Sequence, residues 1–263
     1  LKMGDITTWG EFSCTANHTF YGCENMTSIG SDVDFLNQAT SLGGYFYNCG
    51  LTSLPSTLTL ANLTNGSYLF YYNSGLTSLP AGMTLVNLTD GSYMFGYNSL
   101  TALPAGMILA NLTDGTYMFY LNAIATLPSG ITLVNLNNGN GMFSSNSFTD
   151  LPSGITFSNL TDGTNILSGN TINTTRYSQL LVDLENLNSN NSFSFHGGNS
   201  QYNTAGQTAR NILTASPRNL TITDGGFSGF QFQVTTSNTG TSNNDQFTLP
   251  LTSAFTDNIN VYW

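Results

Sequence analysis

The sequence has very little charge. Only 7% of its 263 residues are charged, against about 25% in an ordinary soluble domain. Four basic residues stand against fourteen acidic ones, so no basic patch is available to neutralise phosphates. This shortage argues against nucleic-acid binding and against attachment to anionic membranes.

Long apolar runs and a disulfide framework are also lacking. No apolar stretch approaches the roughly 20 residues of a membrane span, and no charged start precedes a stretch of the signal-peptide kind. We therefore expect no membrane insertion, and any export signal to lie outside this sequence. Three cysteines, Cys14, Cys23 and Cys49, are too few and too oddly numbered for a disulfide framework.

Motifs for catalysis and for cofactors are missing as well. The sequence contains no nucleophile elbow, zinc-protease motif or phosphate loop. His18 and His196 are far apart and have no metal-ligand spacing. These observations predict a protein that is not an enzyme and that uses no cofactor and no metal.

What the sequence does contain is a repeat of 24 to 25 residues. Leu-Thr-Ser-Leu-Pro at 76–80 returns at 51–55, closely at 100–104, and more loosely at 126–128 and 150–152. A second segment, Asn-Leu-Thr-Asp-Gly-Ser-Tyr-Met-Phe at 87–95, returns in four other units. Aligning the closing aromatic residue gives about seven coils between residues 10 and 172, which predicts a stacked repeat solenoid.

Each coil is expected to combine a short extended arm with one or two helical turns. The Leu-Thr-Ser-Leu arm ends at proline, which cannot donate a backbone hydrogen bond. In the second segment, Thr89 would cap a helix and Asp90 would face its positive end. Leu and Phe seven residues apart would then form two buried columns, and these are Leu63, Leu88, Leu112 and Leu136 with Phe70, Phe95, Phe119 and Phe143.

One polar column follows the closing aromatic by three positions. Small polar residues at a tight turn bond the backbone of the next coil in many repeat proteins, so we expect a structural ladder. Its members are Cys23, Cys49, Asn73, Asn98, Asn122, Asn146 and Asn170. Because Cys23 and Cys49 stand one coil apart, the spacing permits either two free thiols or a disulfide.

Two further columns are candidates for contact with carbohydrate. Tyr68, Tyr93 and Tyr117 recur two residues before the closing aromatic and are candidate glycan contacts, although they could equally cover the side of a helix. Asn62, Asn87, Asn111 and Asn159 each begin an Asn-x-Thr sequon and are candidate N-glycosylation sites. Asp90, Asp114 and Asp162 form a row as well, but helix capping explains them without calcium.

After residue 172 the period stops. Asn173 would cap a helix with Tyr177, Leu180, Leu181, Leu184 and Leu187 on one face. A strand at 192–196, a second helix at 203–215 containing Ala209, Ile212 and Leu213, and a strand at 220–223 complete a small α/β cap. Alternating residues at 230–234, followed by candidate strands at 246–251 and 259–263, predict part of a β-sandwich.

The repeated Leu-Thr-Asp-Gly-Ser-Tyr-Met-Phe and Leu-Thr-Ser-Leu segments resemble the BspA-like leucine-rich repeat surface proteins of bacteria and archaea. The segments at 2–10 and 20–23 are similar to that family's first coils, and 198–226 resembles its cap. The resemblance implies secretion, display at the cell surface, and adhesion or assembly. The segments 245–251 and 260–263 resemble the start of a β-domain that precedes the next array, so we expect a window from a longer tandem protein or a subunit completed by its neighbour.

The predicted fold is thus an α+β solenoid of leucine-rich-repeat-like coils with a cap and a partial β-sandwich. Its domains are residues 1–172, 173–226 and 227–263. The expected function is that of an extracellular structural subunit of a cell-surface filament, with copies joined head to tail through residues 229–263 and the N-terminal segment. The alternative is a glycan-binding adhesin or a phage-type tail-fibre receptor-binding protein, with cell-surface glycans as partners.

Overall fold

The computed structural model describes residues 3–12 and 16–229. The chain divides into two units, Leu1–Gly229 and Phe230–Trp263. The strands expected at 230–234, 246–251 and 259–263, and the partial β-sandwich that they would build, lie outside the described residues.

Regular secondary structure is sparse in the first unit. Within the described residues it comprises α1 (Asp34–Gln38), α2 (Thr174–Leu187), β1 (Ser194–His196), α3 (Thr204–Thr214) and β2 (Thr221–Thr223). The repeats between residues 51 and 172 consist of turns and irregular backbone. The expected α+β leucine-rich-repeat solenoid is therefore wrong: the described residues are mostly coil, with three helices and a two-stranded parallel sheet.

The repeats lack helices because their backbone donors are used elsewhere. The Asp90 carboxylate accepts from Ser92 N two residues later and forms a tight turn in place of a helix start. Phe95 N then donates to Met118 O of the next repeat, at 2.9 Å. Tyr93 has a φ of 58°, which no right-handed helix accommodates. A helix needs bonds to the fourth preceding residue. Here Tyr93 and Phe95 donate to the next repeat, and Met94 donates to Gly91 O only three residues back.

The Leu-Thr-Ser-Leu arms do not form strands. These arms carry few backbone hydrogen bonds between repeats, such as Thr101 N to Thr77 O at 3.4 Å. Parallel pairing instead occurs as isolated bridges at a single row of the repeats. The row runs through Ser41, Asn65, Asp90, Asp114, Asn138 and Asp162. Backbone hydrogen bonds between the turns of neighbouring repeats therefore hold the repeats in parallel register.

Apolar columns fill the space enclosed by the turns. The Leu and Phe columns predicted from the sequence are confirmed, because every member is at most 1% exposed. The Phe rings stack with centroids 5.6 to 5.8 Å apart from Phe46 through Phe143. A third column of Met94, Met118 and Met142 is equally buried. No single repeat encloses these side chains, so the core forms only when repeats stack.

The two helices and two strands predicted between residues 173 and 226 are confirmed in type and order. Asn173 accepts from Arg176 N and caps α2, while Asn203 caps α3. Strands β1 and β2 pair in parallel with Phe195 opposite Ile222, and Gly163 of the last repeat bridges to Phe195. This cap therefore continues the pairing of the repeats.

Two details of the cap differ from the expected helix faces. Leu187 is 53% exposed and Ile212 is 47% exposed, although both were placed on apolar faces. Leu187 is the last residue of α2. Helix α2 packs against α3, and it is tied to the last repeat by Arg176, whose guanidinium donates to the carbonyls of Leu151, Pro152 and Ile155. None of the described helices is long and apolar enough to cross a membrane.

Candidate functional site

The asparagine column forms a ladder of side-chain to backbone hydrogen bonds. Asn122 Nδ2 donates to Phe95 O at 2.9 Å and Phe119 O at 3.1 Å, and its Oδ1 accepts from Leu100 N at 2.9 Å. Each asparagine therefore satisfies backbone groups of its own repeat and of the repeat before it. Asn98 differs in one respect, because its Oδ1 accepts from Asn73 N at 2.8 Å.

The asparagine ladder extends into the cap, and cysteines take the place of asparagine at its first two positions. Beyond Asn146 and Asn170, which make the same bonds, Ser200 Oγ accepts from Ile172 N. At the other end, Cys49 Sγ donates to Phe20 O at 3.0 Å. Cys23 and Cys49 are both buried and free in the structure. Burial raises the pKa of Cys49 to about 12, which keeps it as an unreactive thiol.

The aspartate row is used by its own turns. Asp90 Oδ1 accepts from Ser92 N and Ser92 Oγ, and Asp114 Oδ1 accepts in the same way from Thr116. Asn65 Nδ2 donates to Asp90 Oδ2 at 3.1 Å across the repeats. Over the described ranges, no group of three or more His, Cys, Asp and Glu side chains is placed to hold a metal ion.

The tyrosine column is a stack of rings. Tyr68 and Tyr93 have centroids 4.6 Å apart and an interplanar angle of 6°, and Tyr93 and Tyr117 are 5.2 Å apart at 25°. Sugar rings usually bind to the open face of an aromatic ring, and here the inner faces cover one another. A sugar would reach the middle of this column only at the ring edges.

The structure adds further tyrosines that the column in the sequence did not include. Tyr71 packs edge to face against Tyr68 and Tyr93, at 5.5 and 5.6 Å. Tyr72 is 50% exposed and lies 5.4 Å from Tyr97. We call the connected set the tyrosine patch; it comprises Tyr21, Tyr47, Tyr68, Tyr71, Tyr72, Tyr93, Tyr97, Tyr117 and Tyr120.

Five members of the tyrosine patch have left-handed backbone. The φ angles of Tyr68, Tyr93 and Tyr117 lie between 50° and 59°, and those of Tyr72 and Tyr97 are 62° and 55°. This conformation favours glycine or asparagine and costs other residues about 1 to 2 kcal/mol each. The same column positions in other repeats hold residues such as Gly44, Gly141 and Asn165. The middle repeats therefore carry tyrosine where the backbone alone would favour a smaller residue.

Four tyrosines of the tyrosine patch, Tyr47, Tyr71, Tyr93 and Tyr120, have raised pKa values. Burial raises the pKa of Tyr71, and the neighbouring Tyr97 and Tyr47 raise it further. Burial likewise raises the pKa of Tyr47, Tyr93 and Tyr120. The patch is therefore an uncharged surface with both apolar rings and hydroxyl groups.

The sequon asparagines lie along a groove. Asn62, Asn87, Asn111 and Asn159 are exposed, and each Nδ2 donates to a backbone carbonyl of the preceding repeat. The groove has a volume of about 660 Å³ and is also lined by Thr64, Thr89 and Thr113, which follow three of these asparagines by two residues. These asparagines were predictable as sequons, but the continuous surface that they form was not. The recurrence of Asn-Leu-Thr around a buried leucine was the available signal.

The two histidines occupy different surroundings. His196 Nδ1 accepts from Gly198 N at 3.0 Å. Burial lowers the pKa of His196, and Asp224 opposes that shift. Asp224 accepts from Tyr177 and Arg210 at 3.1 and 2.9 Å, which joins the helices of the cap to β2. His18 lies at the edge of the Tyr21 ring, with centroids 6.1 Å apart.

No protein-family model, curated protein or solved structure matches this chain.

Proposed function

We propose that this protein is a non-enzymatic structural subunit or tandem module of an extracellular filament or fibre at the cell surface, with a role in assembly and adhesion. The observation that carries the proposal is the ladder. Asparagines in successive repeats connect neighbouring repeats through buried side-chain to backbone bonds. Side chains so engaged hold an elongated set of turns together, which is the requirement of a structural module.

The surface supports an extracellular role. Charged residues make up 7% of the sequence, while the described surface of the repeats presents threonine, asparagine and tyrosine. Tyrosine is enriched in the contact surfaces of proteins because one rigid side chain offers both apolar area and a hydroxyl group. A partly exposed tyrosine patch on a firmly bonded set of repeats therefore suits adhesion. The resemblance to BspA-like surface proteins is part of the same proposal.

Assembly would proceed through contacts between copies. The alternation of apolar and polar residues at 230–234 in the sequence suits a strand that covers an apolar surface. Copies would join head to tail through residues 229–263 and the N-terminal segment. A contact between two different surfaces does not close on itself and so produces an open array.

The test compares the full chain with a chain ending at Gly229. We expect the full chain to form linear assemblies by negative-stain microscopy and by sedimentation, and the shorter chain to remain monomeric with unchanged thermal unfolding. Assembly by the shorter chain, or a strictly monomeric full chain at high concentration, would refute assembly through this segment.

A second candidate function is that of a glycan-binding adhesin, including a phage-type tail-fibre receptor-binding protein. The observation that favours it is the presence of five tyrosines with left-handed backbone, because strained residues of this kind concentrate at functional surfaces. This second function requires that Tyr72→Ser with Tyr97→Ser reduce binding on a glycan array, and that Ile212→Ser at the exposed face of α3 leave it unchanged. Equal binding by the unsubstituted chain, the double tyrosine variant and the Ile212→Ser variant would exclude the tyrosine patch as the glycan contact.

A further inference from the structure

The repeats present a continuous polar groove that is separate from the tyrosine patch. Its lining contains only Gln, Asn and Thr and draws on six successive repeats. We call it the Asn-Thr groove; it is lined by Gln38, Thr40, Asn62, Thr64, Asn87, Thr89, Asn111, Thr113, Asn135, Asn137 and Asn159. Hydrogen-bonded backbones lie about 4.8 Å apart, so six repeats extend over roughly 24 Å.

Local sequence explains why these side chains line up. In each Asn-Leu-Thr segment the leucine is fully buried, as at Leu88, while the residues on either side are exposed. Asn87 and Thr89 therefore project together. Because the repeats are in parallel register, the same pair recurs at the same place in the next repeat. The result is two parallel columns of neutral polar groups.

The side chains of the groove are held in place by the backbone. Thr89 Oγ1 donates to Thr64 O at 3.0 Å, and Thr113 Oγ1 donates to Thr89 O at 3.0 Å. Asn87 Nδ2 donates to Ala61 O at 2.8 Å and Asn111 Nδ2 donates to Val86 O at 2.9 Å. Little rotamer freedom is then left for a ligand to remove.

Hydrogen-bonding capacity remains on the same side chains. Each threonine hydroxyl that donates to a carbonyl keeps its lone pairs as acceptors. Each asparagine that uses one N–H keeps the other N–H and its carbonyl oxygen. The groove therefore offers donors and acceptors in every repeat without any charge. This set matches hydroxyl groups, which both donate and accept, better than it matches phosphate, sulfate or carboxylate groups.

We propose that the Asn-Thr groove binds a linear, uncharged polysaccharide whose chain runs across the repeats. This inference rests on the adhesive part of the proposed function and names its ligand class. The repeat spacing is close to the length of one pyranose ring along an extended chain, so successive sugars meet equivalent asparagine and threonine pairs. The groove runs across successive repeats, which suits a linear chain.

Chain length provides the first test. The unglycosylated full chain is titrated by calorimetry with cellobiose and cellohexaose, and with chitobiose and chitohexaose. Because each added sugar reaches another repeat, at least one hexasaccharide should bind at least tenfold more tightly than its disaccharide. Equal affinity for the two lengths, or no binding of any of these sugars, would overturn the proposal.

Matched variants provide the second test. Thr89→Val with Thr113→Val retains the side-chain shape and removes two hydroxyl groups from the groove. Thr64 O still accepts from Thr89 N and Asp90 N after this change, so the repeats should stay folded. The hexasaccharide affinity should fall about tenfold. Thr77→Val with Thr101→Val makes the same chemical change at exposed positions outside the groove and should leave the affinity unchanged.

Two further experiments distinguish sugar binding in the Asn-Thr groove from sugar binding at the tyrosine patch and from ice binding. Tyr72→Ser with Tyr97→Ser should not alter hexasaccharide affinity, and a loss there would move the contact to the tyrosine patch. Inhibition of ice recrystallisation by a chain that binds none of the sugars would assign the groove to ice instead. Filament formation is measured separately by microscopy, so failure of assembly and failure of sugar binding are distinct results.

Discussion

The asparagine ladder predicts how far the free energy of unfolding should fall when one asparagine side chain is removed. Asn98 is 7% exposed, and its side chain makes three bonds to backbone: Nδ2 donates to Phe70 O and Phe95 O, and Oδ1 accepts from Asn73 N. Asn98→Ala removes all three. The cost depends on which of the three backbone groups then lacks a partner.

The two carbonyls keep a partner after the substitution. Phe70 O still accepts from Asn73 Nδ2 at 3.0 Å, and Phe95 O still accepts from Asn122 Nδ2 at 2.9 Å. Asn73 N has no second acceptor, so one buried N–H is left unsatisfied. An orphaned buried donor costs about 1 to 3 kcal/mol, so the free energy of unfolding should fall by that amount.

Urea unfolding measures the global effect and hydrogen exchange measures the local one. The urea midpoint should fall with an unchanged slope, and the amide of Asn73 should exchange faster. The amide of Ile124 donates to Asn146 Oδ1, two repeats further along the ladder, and its exchange rate should not change. The matched control is Asn87→Ala, which removes one bond at an exposed position. A loss below about 0.5 kcal/mol with unchanged exchange at Asn73 would refute the ladder as a source of stability.

Three further predictions concern the core, the tyrosine patch and the cap. Phe95→Ala opens a void between two stacked Phe rings and should lower the free energy of unfolding by about 3 to 5 kcal/mol in urea; a loss below 1 kcal/mol would contradict the buried column. Gly141→Ala adds a Cβ against the Tyr117 ring at a φ of 62° and should cost about 1 to 3 kcal/mol, visible as a lower melting temperature; an unchanged melting temperature would contradict this contact. His196 has a lowered pKa in the folded state, so the chain should be fully stabilised above pH 6.5 and lose stability as pH falls toward that lowered pKa. The substitution His196→Gln should flatten this part of the stability profile in thermal unfolding, and an unchanged profile would assign the pH dependence to another group.

The columns were predictable because a period of 24 to 25 residues survives in the sequence whatever the backbone conformation. Leu88 and Phe95 are buried because they recur at the same positions in successive repeats, although the segment between them is not helical. The cap was predictable for a different reason. Asn173 precedes a long apolar periodicity, so capping and amphipathicity agree on α2.

The conformation of the repeats was not predictable from local signals. Thr89-Asp90-Gly91 satisfies the composition of a helix start, but Asp90 also closes a tight turn with Ser92, and short segments do not discriminate between the two. Bonds from Phe95 to the next repeat decided the outcome. Such bonds join residues more than twenty positions apart, and no window of neighbouring residues contains them.

The sequence by itself determined which residues recur, and therefore which side chains form columns once the repeats stack. It also determined the low charge of the surface. Only the tertiary structure decided how each column is used. Tyr68 and Tyr93 cover one another's faces, whereas Asn87 and Thr89 remain open along a groove. The physical reason is that the period of the sequence specifies which residue types recur along the chain. The direction of each side chain depends on the backbone φ angles, which are fixed by hydrogen bonds between neighbouring repeats.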